Sequence, residues 1–172
     1  HQLAEAIVKE LNLNRKKFHH YQHTPSVQAS LRNKSIRGIY EDSDGILWVG
    51  GYEGLDRIDR EKNIYTSYRF NDPHTHDPII ETLTNVYAIT GDPLNEKKYL
   101  WLGIEGGGVL KFDKESGTYE HFHYNAHDTN SLWNNWVFSL FAERNGSLWI
   151  GTGAGVLNEL DVSATLPARF KK

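Results

Sequence analysis

Asp44-Gly45-Ile46-Leu47-Trp48-Val49-Gly50, Tyr99-Leu100-Trp101-Leu102-Gly103 and Asn145-Gly146-Ser147-Leu148-Trp149-Ile150-Gly151 are one statement made three times. Each Leu-Trp-aliphatic-Gly core runs into a glycine-bearing corner and a second short apolar stretch: Gly54-Leu55-Asp56-Arg57-Ile58-Asp59, Gly108-Val109-Leu110-Lys111-Phe112-Asp113 and Gly155-Val156-Leu157-Asn158-Glu159-Leu160-Asp161. The tryptophans stand 53 and 48 residues apart. A recurring unit of roughly 40–50 residues built of short strands is the spacing of propeller blades.

Working outward from the first core, Ser35 to Glu41 alternates in character as a half-buried strand does, and Asp42-Ser43-Asp44-Gly45 supplies turn residues. Ile46 to Gly50 is almost continuously apolar, which in a strand means burial on both faces, as between stacked blades. Tyr52-Glu53 turns the chain, Leu55 to Asp59 alternates, and Asn63 to Phe70 forms a half-polar outer strand. The second unit runs Val86–Ile89, Tyr99–Gly103, Gly108–Asp113 and Thr118–Tyr124, with a long first hairpin over Gly91–Lys98. The third runs Val137–Phe141, Leu148–Gly151, Val156–Leu160 and a weaker last strand near Ala168-Arg169-Phe170. First and third units align without a gap over Ser30 to Leu55, at an offset of 101 residues.

Carried backward, that offset places Val8–Asn12 under Val109–Asp113 and Phe18–Tyr21 under Tyr119–Phe122. The N-terminus then reads as the last strands of a preceding blade. A helix over Gln2–Leu11 is the competing reading, because Leu3, Ile7 and Leu11 share one helical face. The expectation is an all-β chain, a β-propeller segment of about three and a half four-stranded antiparallel blades. Residues 1–29 form the end of a preceding blade, and 30–70, 71–124 and 125–172 form one blade each, all within one propeller segment. Propellers close with about four to eight blades, so the open ends call for the remaining blades of a parent chain or for a second copy.

Composition excludes several classes. With 38% hydrophobic and 24% charged residues the chain resembles ordinary globular proteins, and a net charge of -3 leaves no basic footprint for nucleic acid. No run of about 18 apolar residues is present, so membrane insertion by this segment is not expected. There is no cysteine for a disulfide or thiolate, and no methionine, which points to a segment of a longer or processed chain.

The succession Ser30-Leu31, Glu41-Asp42-Ser43-Asp44-Gly45-Ile46-Leu47-Trp48-Val49-Gly50, Gly54-Leu55-Asp56-Arg57-Ile58-Asp59 and an aromatic outer strand resembles the two-component regulator propeller repeat. The likeness is close over 30–70, nearly as good over 126–161, and holds over 83–124 with an enlarged first hairpin. It implies the periplasmic sensor region of a hybrid histidine kinase, commonly of seven blades, some members of which recognise oligosaccharides. The resemblance thus implies a non-catalytic ligand-sensing segment, periplasmic and bacterial, within a membrane-anchored parent. Two other readings are kept open: the propeller of a carbohydrate-active hydrolase or lyase, and a protein-binding scaffold.

In propellers, the loops between blades and the corners between second and third strands meet around one channel mouth, and loops on a rigid scaffold carry recognition. Trp133 and Trp136 flank the start of an inner strand, where a flat ring stacks on a sugar face. Arg32, Arg37, Tyr52 and Asn134 would supply hydrogen bonds there; packing between blades is the plainer reading of the tryptophans. Trp48, Trp101 and Trp149, being repeated, are expected in the core. Histidines gather at His19, His20 and His23, at His74 and His76, and at His121, His123 and His127, but no spacing matches a metal motif, so no metal is expected. Glu53 and Glu105 occupy like corners, with Ala154 in the third unit, and Asp44, Asp56 and Asp59 read as turn residues. No catalytic residue and no cofactor is expected.

Overall fold

A computed structural model describes residues 18–70, 84–163 and 170–171. Its strands form three antiparallel four-stranded sheets. The first contains β1 (Ile36–Glu41), β2 (Leu47–Gly51), β3 (Gly54–Asp59) and β4 (Ile64–Tyr68), paired in chain order. The second contains β5 (Val86–Gly91), β6 (Tyr99–Ile104), β7 (Gly108–Asp113) and β8 (Tyr119–Phe122). The third contains β9 (Val137–Ala142), β10 (Ser147–Thr152), β11 (Leu157–Asp161) and β12 (Phe170–Lys171). β1 lies against β5, and β5 against β9, so the first strand of each sheet is the inner one. These are three consecutive blades of an incomplete β-propeller.

The half-blade read into residues 1–29 falls partly outside the described residues. Residues 18–29 run as irregular backbone, so Phe18–Tyr21 does not form the outer strand the offset suggested. The irregular segment ends in a latch. Asp56, in the middle of β3, accepts hydrogen bonds from the amides of Arg32 and Asn33 at 3.0 Å each and from the Asn33 side chain at 3.1 Å. Asp56 is therefore a buried strand residue rather than a turn former.

The core is made between blades, in layers. The Trp48 ring lies in a cluster with Val86, Ile89, Leu100, Leu110 and Phe112, joining the first blade to the second. Trp101, with Val109, Leu132, Val137, Leu148 and Ile150, joins the second to the third. Each indole N–H is tied to a buried carboxylate at the mouth of its own first hairpin: Trp48 Nε1 to Asp42 at 2.8 Å, Trp101 Nε1 to Asp92 at 2.9 Å. The other oxygen of each Asp accepts two backbone amides and closes the hairpin. One acidic side chain thus sets the turn and aims the tryptophan. Burial works to raise the Asp42 pKa, but the bonds from Trp48 and from Lys114 of the second blade, 2.9 Å away, bring it below the usual aspartate value.

The third tryptophan behaves differently. Trp149 is only half-buried, because its side of β10 points away from the second blade while Leu148 and Ile150 face it. Glu143 stands where the other blades have Asp, and its carboxylate is taken by Asn145. The expectation that all three tryptophans are core therefore holds for Trp48 and Trp101 and is corrected for Trp149. Its place in the repeat is the same, but no blade covers it among the described residues.

The glycines of the first two Leu-Trp-x-Gly cores have a packing reason. A Cβ on Gly50 would fall 2.6 Å from a Val86 methyl, and one on Gly103 would fall 2.7 Å from a Val137 methyl. The valines opening β5 and β9 thus sit directly on the backbone of the preceding blade. The enlarged hairpin of the second blade also reaches backward: Glu96 accepts a hydrogen bond from the Tyr40 hydroxyl at 2.5 Å and another from the Ser43 amide at 3.1 Å. Its extra residues are an inter-blade clasp.

Candidate ligand-binding site

Each inner strand carries a β-bulge at the same place. The register slips between Ile36 and Gly38, between Val86 and Ala88, and between Val137 and Ser139, leaving Arg37, Tyr87 and Phe138 as the extra residues. A bulge re-aims the side chain it carries and is common beside functional sites. Here three bulges in register present an arginine and two aromatic rings at one end of neighbouring inner strands.

The corners between second and third strands close over the same end. The Glu105 amide donates to Asn85 O at 3.0 Å, and the Gly153 amide donates to Trp136 O at 2.8 Å. In the first blade the Glu53 amide donates to the Asn33 side chain at 2.8 Å. Register makes Tyr52 and Glu105 equivalent, since each follows the residue paired with the one before the bulge. Glu53 and Glu105 are therefore not like positions, which corrects the reading of the corners. Glu53 pairs with Arg69 at 3.2 Å, whereas Glu105 accepts from Asn85 at 3.3 Å and stands beside Tyr87. The two carboxylates serve different partners.

A continuous track results. Arg37 donates to the Tyr52 hydroxyl at 2.5 Å, and its guanidinium lies 4.9 Å from the Tyr52 ring centre and 5.2 Å from that of Tyr87. The Tyr52 and Tyr87 hydroxyls are 3.1 Å apart and their rings 6.1 Å. Tyr87 reaches Phe138 at 5.8 Å, and Phe138 reaches Trp136 at 6.4 Å. Aromatic faces in such tilted contacts hold one another at fixed angles. Tyr52, Phe138 and Trp136 remain 41%, 47% and 48% exposed, so the rings touch without closing the surface.

The hydrogen bonds polarise the tyrosine pair. The bond to Tyr87, then the bond from Arg37, draws the Tyr52 hydroxyl below the ordinary tyrosine pKa. Tyr87 is pushed up to about 12, first by its bond with Tyr52, then by burial and by Glu105. Arg37 is held still more firmly protonated by Tyr52. The cluster therefore sets a guanidinium, two hydroxyls and the Glu105 side chain beside an apolar ring surface.

The structure brings together Arg37, Tyr52 and Trp136 from the residues singled out in sequence, and adds Tyr87, Phe138 and Glu105. The missed signal was positional: Arg37 and Phe138 are related by the 101-residue offset, but their unlike side chains hid the equivalence. Asn134 acts locally, accepting the Trp136 amide at 2.7 Å and so fixing the turn that presents Trp136. Trp133 is 49% exposed, with its amide held by Asn158 at 3.1 Å, the counterpart of the Arg32–Asp56 bond. Arg32 lies apart from the track. It lines a cleft of about 690 Å³ on the outward face of the first blade, together with His23, Glu53, Tyr65 and Arg69.

Among the described residues, no three His, Asp or Glu side chains converge as metal ligands. His121 and His123 stack at 4.9 Å, and His121 Nε2 lies 2.6 Å from the Gly107 carbonyl. His74 and His76 lie outside the described residues. No described helix is long and apolar enough to cross a membrane.

Four-stranded meanders stacked through their inner strands define the class: part of a β-propeller. Comparison with known proteins carries this further. Residues 30–53 and 131–154 match the two-component regulator propeller model, so the first and third blades carry that repeat. A histidine kinase of Formosa agariphila is 29% identical over 136 residues, or 73% of this chain. The chain spans only 9% of that kinase. The extracellular domain of a hybrid two-component system from B. thetaiotaomicron superposes with a TM-score of 0.70 at 21% identity, over 89% of this chain and 20% of that one. A surface component of the type-IX secretion system of Porphyromonas gingivalis superposes with a TM-score of 0.57 at 19% identity, over 80% of this chain and 18% of that one. At such identities the structural likenesses bear on fold. This chain is similar to extracellular domains of two-component systems, and it represents a fraction of their length.

Proposed function

We propose that this chain is a non-catalytic ligand-sensing segment of a hybrid two-component sensor, a histidine kinase, and that it recognises an oligosaccharide. The observation that carries the reading is the aromatic track Tyr52–Tyr87–Phe138–Trp136 across three blades, in which Tyr87 and Phe138 stand on bulges in register, Tyr52 on a corner and Trp136 just before an inner strand. Sugar rings present apolar faces edged with hydroxyls, which suits half-exposed aromatic rings flanked by a few fixed polar groups. In this reading the segment sits in the periplasm as part of a membrane-anchored parent. Its outward blade faces, one of which carries the half-buried Trp149, are completed by further blades of the parent or by a second copy.

A ligand on the track touches three blades at once and so bears on their mutual arrangement. It signals only to the extent that it binds one arrangement of the parent better than another. The test is calorimetric titration of the chain with a panel of oligosaccharides, beside Trp136→Ala. Trp136 is half-exposed, so the variant keeps its melting temperature while affinity falls by about tenfold, the equivalent of roughly 1.4 kcal/mol. Unchanged affinity in a folded variant would remove the track from the function.

A further inference from the structure

We infer that the site selects an anionic sugar, one bearing a carboxylate or sulfate, with Arg37 as the residue that reads the charge. The inference rests on the oligosaccharide reading above and names its ligand class.

Two arginines of the first blade are held by carboxylates. Arg60 is paired with Glu41 at 2.5 Å and Arg69 with Glu53 at 3.2 Å. Arg37 forms no ion pair with a carboxylate among the described residues. Its bulge lifts it out of the strand pairing, the Tyr52 and Tyr87 rings support its flat face, and the Tyr52 hydroxyl takes one of its donors. A guanidinium carries five N–H donors in a rigid fork. With one used and the group exposed, the remaining donors are available at a fixed orientation at the head of the aromatic track. Bidentate bonding to an oxoanion is what that fork does best, and prior immobilisation lowers the entropy cost of doing it.

Glu105 is the opposing charge. It stands on the second blade's corner, where Asn85 donates to it and Tyr87 lies alongside, so its charge is met on that side of the tyrosine pair. Its field still weakens attraction for an anion. That makes it a second handle: removing its charge strengthens binding of an anionic sugar, whereas a neutral sugar is little affected.

The experiment uses the 172-residue chain and three matched probes: tetragalacturonate, its fully methyl-esterified form, and a sulfated galactose tetrasaccharide. Calorimetric titration is run at low and high salt. The inference expects at least one charged probe to bind about tenfold or more tightly than the methyl ester, with affinity falling as salt rises. Which of the two binds tells carboxylate from sulfate. Arg37→Met abolishes the preference while the weak binding common to all probes persists; Arg37→Lys restores only part of it, because the charge returns without the fork. Glu105→Gln raises affinity for the charged probe. Melting curves of the variants identify any loss of folding, and the salt dependence of the unaltered chain stands without them. Affinity for both charged probes no greater than for the ester overturns the inference and leaves the oligosaccharide reading intact. Binding of a charged probe that is lost in Trp136→Ala but unchanged in a folded Arg37→Met has the same meaning. Binding of none of the probes, or of a neutral panel, overturns both.

Discussion

Replacing Trp101 by alanine tests the layered core most directly. Trp101 is 2% exposed, packed between the second and third blades, with its indole N–H bonded to Asp92 at 2.9 Å. Truncating a buried aromatic costs about 3–5 kcal/mol, and the lost bond to a buried carboxylate adds about 1 kcal/mol or more. The expected loss, roughly 4–6 kcal/mol, is comparable to the whole stability of many domains, about 5–15 kcal/mol. Trp149 is the internal control: the same residue of the same repeat, half-buried and without an acid partner equivalent to Asp92. Trp149→Ala should cost about 1–2 kcal/mol, by the smaller area removed from packing. Trp101→Phe, which keeps most of the apolar surface but drops the N–H, should fall between them. Urea unfolding followed by far-UV circular dichroism measures all three, since the fluorescence signal changes with the tryptophans themselves. Equal losses for Trp101→Ala and Trp149→Ala would refute the assignment of the core to blade interfaces.

Acid should loosen the joint between the first and second blades. The folded pKa of Asp42 lies below its unfolded value of about 3.9, so its contribution is complete above about pH 4 and is lost as pH falls through the folded pKa. Lys114→Met removes the partner 2.9 Å away, and the acid limb of a melting-temperature profile should move to higher pH; an unmoved limb would mean the pair does not hold the joint. Gly103→Ala places a Cβ 2.7 Å from a Val137 methyl and should cost about 1–3 kcal/mol by overpacking, partly recovered by Val137→Ala in the same chain. Full additivity of the two substitutions would show that these groups do not meet.

Much of this architecture was legible before any coordinates. A Leu-Trp-aliphatic-Gly strand repeated three times, with turn residues before it and glycine after it, has few ways to bury both its faces. The site was only half legible. Arg37, Tyr52 and Trp136 drew attention as polar or aromatic residues in the loops and inner strands, yet nothing in their spacing showed that a bulge displaces Arg37. Tyr87 and Phe138 were invisible as partners because a bulge breaks the alternation that assigns side chains to faces, and because the equivalent positions hold unlike residues. Asp56 misled for a related reason: an aspartate near glycines reads as a turn former until its partners at 32 and 33, remote in the chain, are seen.

What the chain determined by itself is what local physics and repetition settle: short strands, tight turns, a glycine wherever the neighbouring backbone must come close, and a tryptophan aimed out of each blade. Tertiary structure decided what depends on having a neighbour. Trp48 and Trp101 are core and Trp149 is not, although the sequence writes them alike, because burial belongs to the interface between two blades and the third tryptophan faces no described blade. The track from Arg37 to Trp136 likewise exists only once three inner strands lie side by side, since contacts between blades follow packing distance and not separation along the chain.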